Sequence, residues 1–254
     1  MNGIQDLTKE RLNRYRRNIL LNGVGEAGQR KLLSSSVLLV GAGGLGSPAA
    51  FYLAAAGTGR IGLVDGDMVD VSNLQRQILH ATPDVGRAKV VSARDKLTAL
   101  NPEISIEAHA EVFSGANAAG LIQSYDFIID CTDNFQARYY LNKACVDLKK
   151  PFVYGGVLAW AGQLFTVLPG AGPCFRCIFR QEPPPGAPGA SVVGILGAVA
   201  GVIGVLQAAE AVKYLLGVGD LLVGRMLTYD ALGAAFFEVP LRRDNNCPDC
   251  GGVL

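Results

Sequence analysis

The sequence predicts an α/β fold with a largely parallel sheet flanked by helices, followed by later antiparallel strands and a structural metal site. An apolar, β-branched run at 37–40 enters a GxGxxG turn, and a segment of small residues follows it. Apolar strand-like runs then alternate with helical segments, and four cysteines form two CxxC pairs. A strand, a glycine turn and a helix in this order are typical of Rossmann-like βαβ units that bind nucleotides.

The composition favours one domain and argues against some classes of protein. With 254 residues, 50% of them hydrophobic, the chain can bury a sizeable core. We divide this domain, 1–254, into an N-terminal helical segment (1–33), a nucleotide-binding core (34–168) and a C-terminal part (169–254). The last part holds a crossover loop, a glycine-rich helix, late strands and the cysteine pairs. A net charge of +1 without a basic run argues against nucleic-acid binding.

The N-terminal residues predict a cytoplasmic protein. They are polar and lack the apolar segment of a secretory signal. The longest apolar stretch, 192–206, is shorter than the roughly 20 residues that a membrane helix needs. We therefore expect no membrane span.

The glycine turn predicts a phosphate site. Gly41, Gly43 and Gly46 form the GxGxxG pattern, and Gly44 lies within it. Glycines permit a tight turn and close approach of a ligand, and the N-terminus of the following helix offers free N–H groups to phosphate. The next apolar strand ends in Asp65, where a carboxylate can bind a ribose hydroxyl. The alternative is a turn that only packs helix against strand, and the identity of the nucleotide stays open.

The remaining elements follow from periodicity and from helix-stop signals. A short helix is expected near 72–77, with Ser72 or Asn73 as its cap. The proline- and glycine-rich stretch 180–191 predicts a loop, and the glycines of the last helix permit close packing against another helix, in the core or across a dimer. We predict helices over 7–33, 86–100, 135–148 and 192–216, and strands over 61–64, 104–108, 125–131, 152–156, 162–168, 225–229 and 235–239.

A second acidic residue, Asp133, follows the strand predicted at 125–131. Ligands of open α/β sheets bind beyond the carboxyl ends of strands. Asp65 and Asp133 both occupy such positions, so one pocket can contain both. The competing interpretation is that Asp133 or Asn134 caps the next helix.

The cysteines indicate a zinc site. Two CxxC pairs, separated by about 70 residues, supply four thiolates, which suits tetrahedral Zn²⁺. No open coordination position is evident, so we expect structural zinc; a redox dithiol is the alternative, although it needs one pair rather than two. Cys131 and Cys145 are not part of this pattern and have no assigned role. The predicted zinc ligands are Cys174, Cys177, Cys247 and Cys250.

Six motifs occur in a specific order: GAGGLGS, VDGDMVDVSNLQRQ, GRAKV, CTDN, CFRC and CPDC. With these motifs the chain resembles the ThiF/MoeB/HesA family, the bacterial relatives of ubiquitin-activating enzymes, from Arg14 to Cys250. It is most similar to the MoeB-like branch. That resemblance implies an enzyme that uses ATP to adenylylate the C-terminal Gly-Gly carboxylate of a small ubiquitin-fold sulfur-carrier protein and releases pyrophosphate.

The resemblance also implies roles for individual residues. Asp65 would bind the ribose, Asp133 would hold Mg²⁺, and Arg17 would reach into the site of a partner subunit, which implies a homodimer. The four cysteines match the zinc ligands of the family. The ATP site would be lined by Gly41, Gly43, Gly44 and Gly46, and the triphosphate would contact Asn73, Arg76 and Lys89.

Elementary chemistry agrees with this implied reaction. A peptide carboxylate is already ionised at pH 7, so its attack on the α-phosphate requires no general base. The reaction requires alignment and positive charge instead, because a carboxylate must approach a polyanion. Arg76, Arg17 and Lys89, with Mg²⁺, can supply that charge. A GxxxxGK[ST] motif is absent from the sequence, which is consistent with a different mode of ATP binding.

The chain departs from many relatives in one segment. They carry a cysteine in a C-A-E-A-G sequence before the glycine-rich helix, where this chain has Ala190 in A-S-V-V-G. We expect this chain to stop at the acyl-adenylate, with another protein delivering sulfur. Three alternatives stay open: a catalytically silent scaffold that binds the carrier, an NAD-dependent oxidoreductase, and a relative of tRNA-modifying dehydratases. The sequence leaves the pathway open between molybdopterin, thiamine and cysteine.

Overall fold

An eight-stranded sheet organises the chain. The computed structural model describes residues 7–184 and 190–251, and the strand order in the sheet is β3-β2-β1-β4-β5-β6-β7-β8. The strands are β1 (Ser36–Val40), β2 (Arg60–Val64), β3 (Ser105–His109), β4 (Phe127–Asp130), β5 (Phe152–Leu158), β6 (Ala161–Val167), β7 (Arg225–Asp230) and β8 (Ala235–Pro240).

The sheet changes direction along its width, as the sequence predicts. Strands β3, β2, β1, β4 and β5 are parallel, and β5 to β8 are joined by antiparallel pairs. Strand β1 lies between β2 and β4, so the chain winds outward from β1 in both directions. The crevice at such a switch in strand order is where open α/β sheets bind ligands.

Helices cover both faces of the parallel half. The α-helices are α1 (Lys9–Arg14), α2 (Arg16–Ile19), α3 (Gly25–Leu33), α4 (Gly46–Ala56), α5 (Lys89–Leu100), α6 (Ala118–Ile122), α7 (Phe135–Asp147), α8 (Phe175–Ile178), α9 (Ala190–Val193) and α10 (Gly197–Leu216). All five residues of β1 are buried. Because both faces are covered, the strand is apolar along its length rather than alternating.

The two faces of β1 belong to two separate cores. Val37 and Leu39 face the cluster that includes side chains of α4, α5 and α10. Leu38 and Val40 face the cluster that includes side chains of α6, α7 and α8. Successive side chains of a strand point to opposite faces, so one short strand anchors both layers of helices.

Helix α10 is a core helix. Its length and its mean hydropathy of 1.5 would allow it to cross a membrane, but half of this apolar segment is buried within the protein. A Cβ atom at Gly204 would lie 2.3 Å from the carbonyl oxygen of Leu45, so the glycine permits close contact with the start of α4. At Gly204 the close packing expected of the glycine-rich helix therefore occurs inside the core, whereas a Cβ atom at Gly201 would contact nothing within 4 Å.

Three predicted elements differ from the structure. The helix expected over 7–33 is divided into α1, α2 and α3, with left-handed Gly23 (φ +84°) before α3. The last helix is interrupted at Gly194 (φ +84°), after which Leu196 N–H donates to the Ala159 carbonyl. The helix expected at 72–77 is a single 3₁₀ turn, Val71–Asn73, and its cap is Asp70 rather than Ser72 or Asn73.

Candidate functional site

A cavity of about 1150 Å³ lies beyond the carboxyl ends of the central strands. One part of its wall is the glycine turn (41–46), and another is the loop that follows β4. A third part is formed by the antiparallel strands β5 to β8. The cavity therefore occupies the position at which a doubly wound sheet places its ligand.

Three of the four glycines predicted for the ATP site contribute to the cavity wall. Gly41, Gly43 and Gly44 line the cavity. Gly41 has φ +106°, and a Cβ atom there would lie 2.6 Å from the Cys131 carbonyl oxygen, so the turn requires glycine. Gly46 is not among the described lining residues; a Cβ atom there would lie 2.1 Å from the Gly41 carbonyl oxygen. Gly46 thus packs helix against strand, which is the alternative stated for the turn.

Asp65 lines the cavity and also holds the turn in place. Its Oδ2 atom accepts the Ala42 N–H at 2.9 Å, and its Oδ1 atom accepts the Asp67 N–H at 2.9 Å. The carboxylate is therefore oriented by two backbone groups, and each oxygen keeps a lone pair for a ligand.

Arg76 lies over the glycine turn, whereas Asn73 lies outside the cavity. The Cγ atom of Arg76 is 3.5 Å from the position of a Cβ atom at Gly44, and the guanidinium donates to the Ser72 carbonyl at 3.1 Å. Asn73 is not among the described residues that line the cavity; its Oδ1 atom accepts the Asp70 N–H at 3.4 Å. Asn73 is the last residue of the 3₁₀ turn, and its side chain closes that turn onto Asp70.

Lys89 is a buried cation of the cavity wall. Its side chain is 7% exposed, and its Nζ atom lies 2.7 Å from the Asp67 carboxylate and 3.9 Å from that of Asp65. Asp67 also lines the cavity but is 74% exposed. Asp67 follows Asp65 by two residues in a glycine-containing loop but was not among the residues predicted from the sequence.

Asp133 is left available for a ligand because its neighbour caps the next helix. Asn134 Oδ1 accepts the Ala137 N–H at 2.9 Å and is the N-cap of α7. Asp133 is exposed and lines the cavity together with Asp65 and Arg76. The structure therefore brings these three side chains to one cavity.

Buried hydrogen bonds to Thr132 hold the loop that carries Asp133. Asp130 Oδ1 accepts from Thr132 N at 3.0 Å and from Thr132 Oγ1 at 2.7 Å. Arg138 donates to the Thr132 carbonyl at 2.8 Å. Burial raises the pKa of Asp130, and the Arg138 charge opposes that rise. Neither residue was predicted from the sequence: the Asp130 contact with Thr132 is local, whereas the Arg138 contact depends on how α7 follows the loop.

Arg17 does not reach the cavity of its own chain. It lies on α2, is exposed, and is absent from the described residues that line the cavity. Its position is compatible with a contact to another molecule.

The antiparallel strands provide a second half of the cavity that the sequence analysis did not assign. Polar and aromatic side chains line it. Large apolar side chains near this half are exposed: Trp160 is 48% exposed, Phe236 50% and Phe237 58%. The lining residues from these strands include Gln163, Thr228, Tyr229, Asp230 and Phe237.

The two CxxC pairs meet and form one cysteine cluster: Cys174, Cys177, Cys247 and Cys250. All four residues are buried, and their Sγ atoms lie within 4.8 Å of one another. Three Sγ–Sγ distances are 3.8, 3.6 and 3.4 Å. Four ligands at about 2.3 Å from a tetrahedral Zn²⁺ would be about 3.8 Å apart. The cluster therefore fits a metal site of this kind.

The surroundings of the cysteine cluster also suit a cation. Burial raises the pKa of the Cys174 thiol, and it raises the pKa of Cys250 to about 11. At Cys177 burial is outweighed by hydrogen bonds, chiefly from the Asp244 N–H, which lower the pKa of that thiol. Thiolates in this position need a positive charge nearby. Asn142 of α7 approaches the cluster, with Nδ2 3.6 Å from Cys174 Sγ.

The other two cysteines are not part of this cluster. Cys131 and Cys145 are buried, and burial raises the pKa of both thiols. Cys131 lines the cavity. A buried thiol with a raised pKa is a poor nucleophile, so neither residue is suited to thiol chemistry.

Comparison with protein families identifies one match that covers most of the chain. The model described as the ThiF family matches residues 15–249. A protein named sulfur carrier protein adenylyltransferase, from Thermus thermophilus, is 46% identical over 250 residues, which cover 96% of this chain and 92% of that protein.

Other relatives are longer than this chain. A Drosophila sechellia protein named adenylyltransferase and sulfurtransferase MOCS3 is 48% identical over 96% of this chain, which spans 54% of that protein. A Mycobacterium tuberculosis protein named probable adenylyltransferase/sulfurtransferase MoeZ is 41% identical over 95% of this chain, which spans 63% of that protein.

Solved structures share the fold. The crystal structure of E. coli MccB with MccA-N7isoASN has a TM-score of 0.84 at 24% identity, covering 94% of this chain and 75% of that chain. The structure of E. coli MccB with ATP has a TM-score of 0.82 at 25% identity, covering 94% and 74%.

Proposed function

The chain belongs to the ThiF family, and on that basis we propose that it adenylylates the C-terminal Gly-Gly carboxylate of a small ubiquitin-fold sulfur-carrier protein, consuming ATP and releasing pyrophosphate. One observation carries the proposal: Arg76, Lys89 and Asp133 line the same cavity as the glycine turn. The Thermus thermophilus relative, which is similar over nearly its whole length, bears the name of this activity.

The glycine turn and the start of α4 would bind the phosphates of ATP. Free N–H groups and the positive end of a helix dipole attract anions. Asp65 would accept hydrogen bonds from the ribose, since its carboxylate is already oriented by Ala42 and Asp67. Asn73 keeps its Nδ2 donors, because only its Oδ1 atom contacts the Asp70 N–H, but its side chain would have to turn toward the cavity to reach the triphosphate.

Arg76 and Lys89 would supply the positive charge for the reaction. Lys89 is paired with Asp67 in this structure, so a phosphate group would compete with that carboxylate for the ammonium group. Bound cations reduce the repulsion between the attacking carboxylate and the triphosphate. Asp133 would hold Mg²⁺, which neutralises further charge on the leaving pyrophosphate.

The half of the cavity along β5 to β8 would receive the tail of the carrier. Its peptide carboxylate is ionised at neutral pH and needs alignment rather than a base. The exposed Trp160, Phe236 and Phe237 offer the aromatic surface that protein interfaces favour. A tail of two glycines is narrow enough to extend from such a surface into the cavity.

We propose that the protein acts as a homodimer in the cytoplasm, with Arg17 of each subunit completing the site of the other. The support for this is the position of Arg17, which is exposed and is not among the described residues that line its own cavity. A guanidinium delivered by a second subunit would add to the charge of Arg76.

The cysteine cluster would bind structural Zn²⁺. It joins the C-terminal segment to α8 and contributes no side chain to the described cavity wall. Since α9 begins with Ala190 where many relatives have cysteine, we propose that sulfur transfer occurs on another protein.

The decisive experiment is ATP–pyrophosphate exchange with a panel of purified carriers that end in Gly-Gly. Exchange that depends on one carrier would support the proposal and identify the pathway. A carrier whose last glycine is deleted is the matched control. Carrier binding without exchange would favour the silent scaffold, and calorimetric binding of NAD instead of ATP would favour the oxidoreductase.

A further inference from the structure

His80 is a buried histidine that contacts the glycine turn. It is 5% exposed, and its Nε2 atom lies 2.9 Å from the Ala42 carbonyl oxygen. Its Nδ1 atom lies 3.0 Å from Ser92 Oγ. A carbonyl oxygen can only accept, so Nε2 carries a proton and donates to Ala42. In the neutral ring, Nδ1 then accepts from the Ser92 hydroxyl.

Side chains on the far side of His80 favour this tautomer. Ser92, on α5, is fully buried. Lys96 Nζ donates to Ser92 Oγ at 3.0 Å and also pairs with Asp84. An ammonium group has no acceptor, so Ser92 Oγ accepts from it, and the Ser92 proton is shared between two acceptors, His80 Nδ1 and the carboxylate of Asp84. The hydrogen-bonded chain therefore runs from Asp84 through Lys96 and Ser92 to the glycine turn.

The contact between His80 and Ala42 fixes one peptide plane of the turn. The described residues contain no cis peptide bond, so the Ala42 carbonyl and the Gly43 N–H point in opposite directions. With the carbonyl held by His80, the Gly43 N–H is directed away from the histidine. The preceding peptide is fixed too, because the Ala42 N–H donates to Asp65.

The Gly43 N–H is available for a ligand. Gly43 lines the cavity, and its N–H has no acceptor among the residues that the structure describes. An N–H group of this kind at the start of a helix is a binding group for phosphate. We propose that His80 is a positioning residue for nucleotide binding, whose Nε2–H group holds the Ala42 carbonyl so that the Gly43 N–H faces a phosphate of the bound nucleotide. This inference rests on the proposed nucleotide site.

Two amide substitutions separate the functions of the two ring nitrogens. His80→Gln keeps an N–H donor near the position of Nε2, whereas His80→Asn has its amide near Nδ1 and cannot reach Ala42. The dissociation constant of MgATP, measured by calorimetry, should rise on the order of tenfold in His80→Asn and by less than about threefold in His80→Gln. His109→Gln, which replaces the only other histidine, is the matched control and should leave it unchanged.

The tautomer gives a readout that does not depend on nucleotide binding. Nitrogen-15 NMR of the imidazole groups should show the Nε2–H form of His80 in the wild type. An Nδ1–H form, or equal affinities of His80→Gln and His80→Asn for MgATP, would overturn the inference and leave the nucleotide site intact. A wild type that binds no MgATP would refute the proposed function as well.

A second variant tests the same proposal if His80→Asn does not fold. Ser92→Ala removes the hydroxyl group that donates to Nδ1 but leaves the imidazole in place. It should weaken MgATP binding several-fold and reduce the share of the Nε2–H tautomer. Unchanged affinity together with an unchanged tautomer would contradict the inference.

Discussion

Asn142 Nδ2 donates to the carboxylate of Asp249 at 2.6 Å, so helix α7 is joined directly to the C-terminal CxxC segment. The Oδ1 atom of the same side chain accepts the Phe175 N–H at 2.9 Å, between the two cysteines of the first pair. Asn142 is fully buried. One amide group therefore orients both halves of the cysteine cluster, which is what residues around a metal site do for its ligands.

Replacing Asn142 should weaken metal binding without removing a ligand. Asn142→Ala leaves the Asp249 carboxylate and the Phe175 N–H without this partner, and we expect the zinc affinity to fall 10–100-fold. Competition with a chelator of known affinity measures the change. Asn13→Ala, on the exposed surface of α1, is the control. Equal zinc affinity of both variants would show that Asn142 does not orient the cluster.

Removing two ligands should release the metal and lower stability. The double variant Cys247→Ser with Cys250→Ser leaves only one CxxC pair, and metal binding contributes directly to folding free energy at sites of this kind. We expect loss of zinc by elemental analysis and a lower Tm. Cys145→Ala, outside the cluster, should retain zinc. Native protein that contains no metal and has the Tm of the double variant would refute the zinc site.

Arg76→Ala should abolish carrier-dependent exchange while leaving the fold intact. Arg76 lines the cavity with its aliphatic stem over Gly44, and we expect loss of its charge to reduce ATP–pyrophosphate exchange by about a hundredfold or more. Arg94→Ala is the matched control, because Arg94 is a half-exposed arginine paired with Asp95. Undiminished exchange in Arg76→Ala would remove Arg76 from the mechanism.

Arg17→Ala and Asp133→Ala should complement each other in mixed dimers. Each variant alone should be inactive, because every site lacks either the arginine or the proposed magnesium ligand. In a mixed dimer one site has both residues, so mixing should restore up to about a quarter of wild-type exchange if subunits recombine at random. An absence of recovery in a verified mixed dimer would count against a site shared between subunits.

His80 should make the folded state less stable in mild acid. Burial lowers the pKa of His80 from 6.5; nearby Lys96 and Lys89 lower it further, while the Ala42 carbonyl and Asp84 oppose this. The unfolded chain therefore binds more protons, so this contribution to stability is complete above about pH 6.5 and is lost as pH falls through the folded-state pKa.

Urea unfolding at pH 7.5 and at pH 5.5 measures this contribution. The free energy of unfolding should fall less between the two pH values in His80→Gln than in the wild type. His109→Gln should retain the wild-type difference. An equal pH dependence in His80→Gln and the wild type would show that His80 is not responsible.

The strand, turn and helix around the glycine turn were predictable from the sequence because their signals are local. Apolar runs, glycines at fixed spacing and two short cysteine pairs each involve neighbouring residues. The predicted clustering of the four cysteines is confirmed by their positions. The break in the last helix was not predicted, since Gly194 also has the spacing of a glycine that packs against another helix.

The sequence by itself determined the elements of the parallel sheet, the glycine turn and the set of residues that can carry charge. Only the tertiary structure decided which of them meet: Lys89 with Asp67, Arg138 with Thr132, and His80 with Ala42. The reason is physical. Strand and helix periodicity depends on neighbouring residues, whereas these hydrogen bonds and ion pairs depend on strand order and on how helices pack against the sheet.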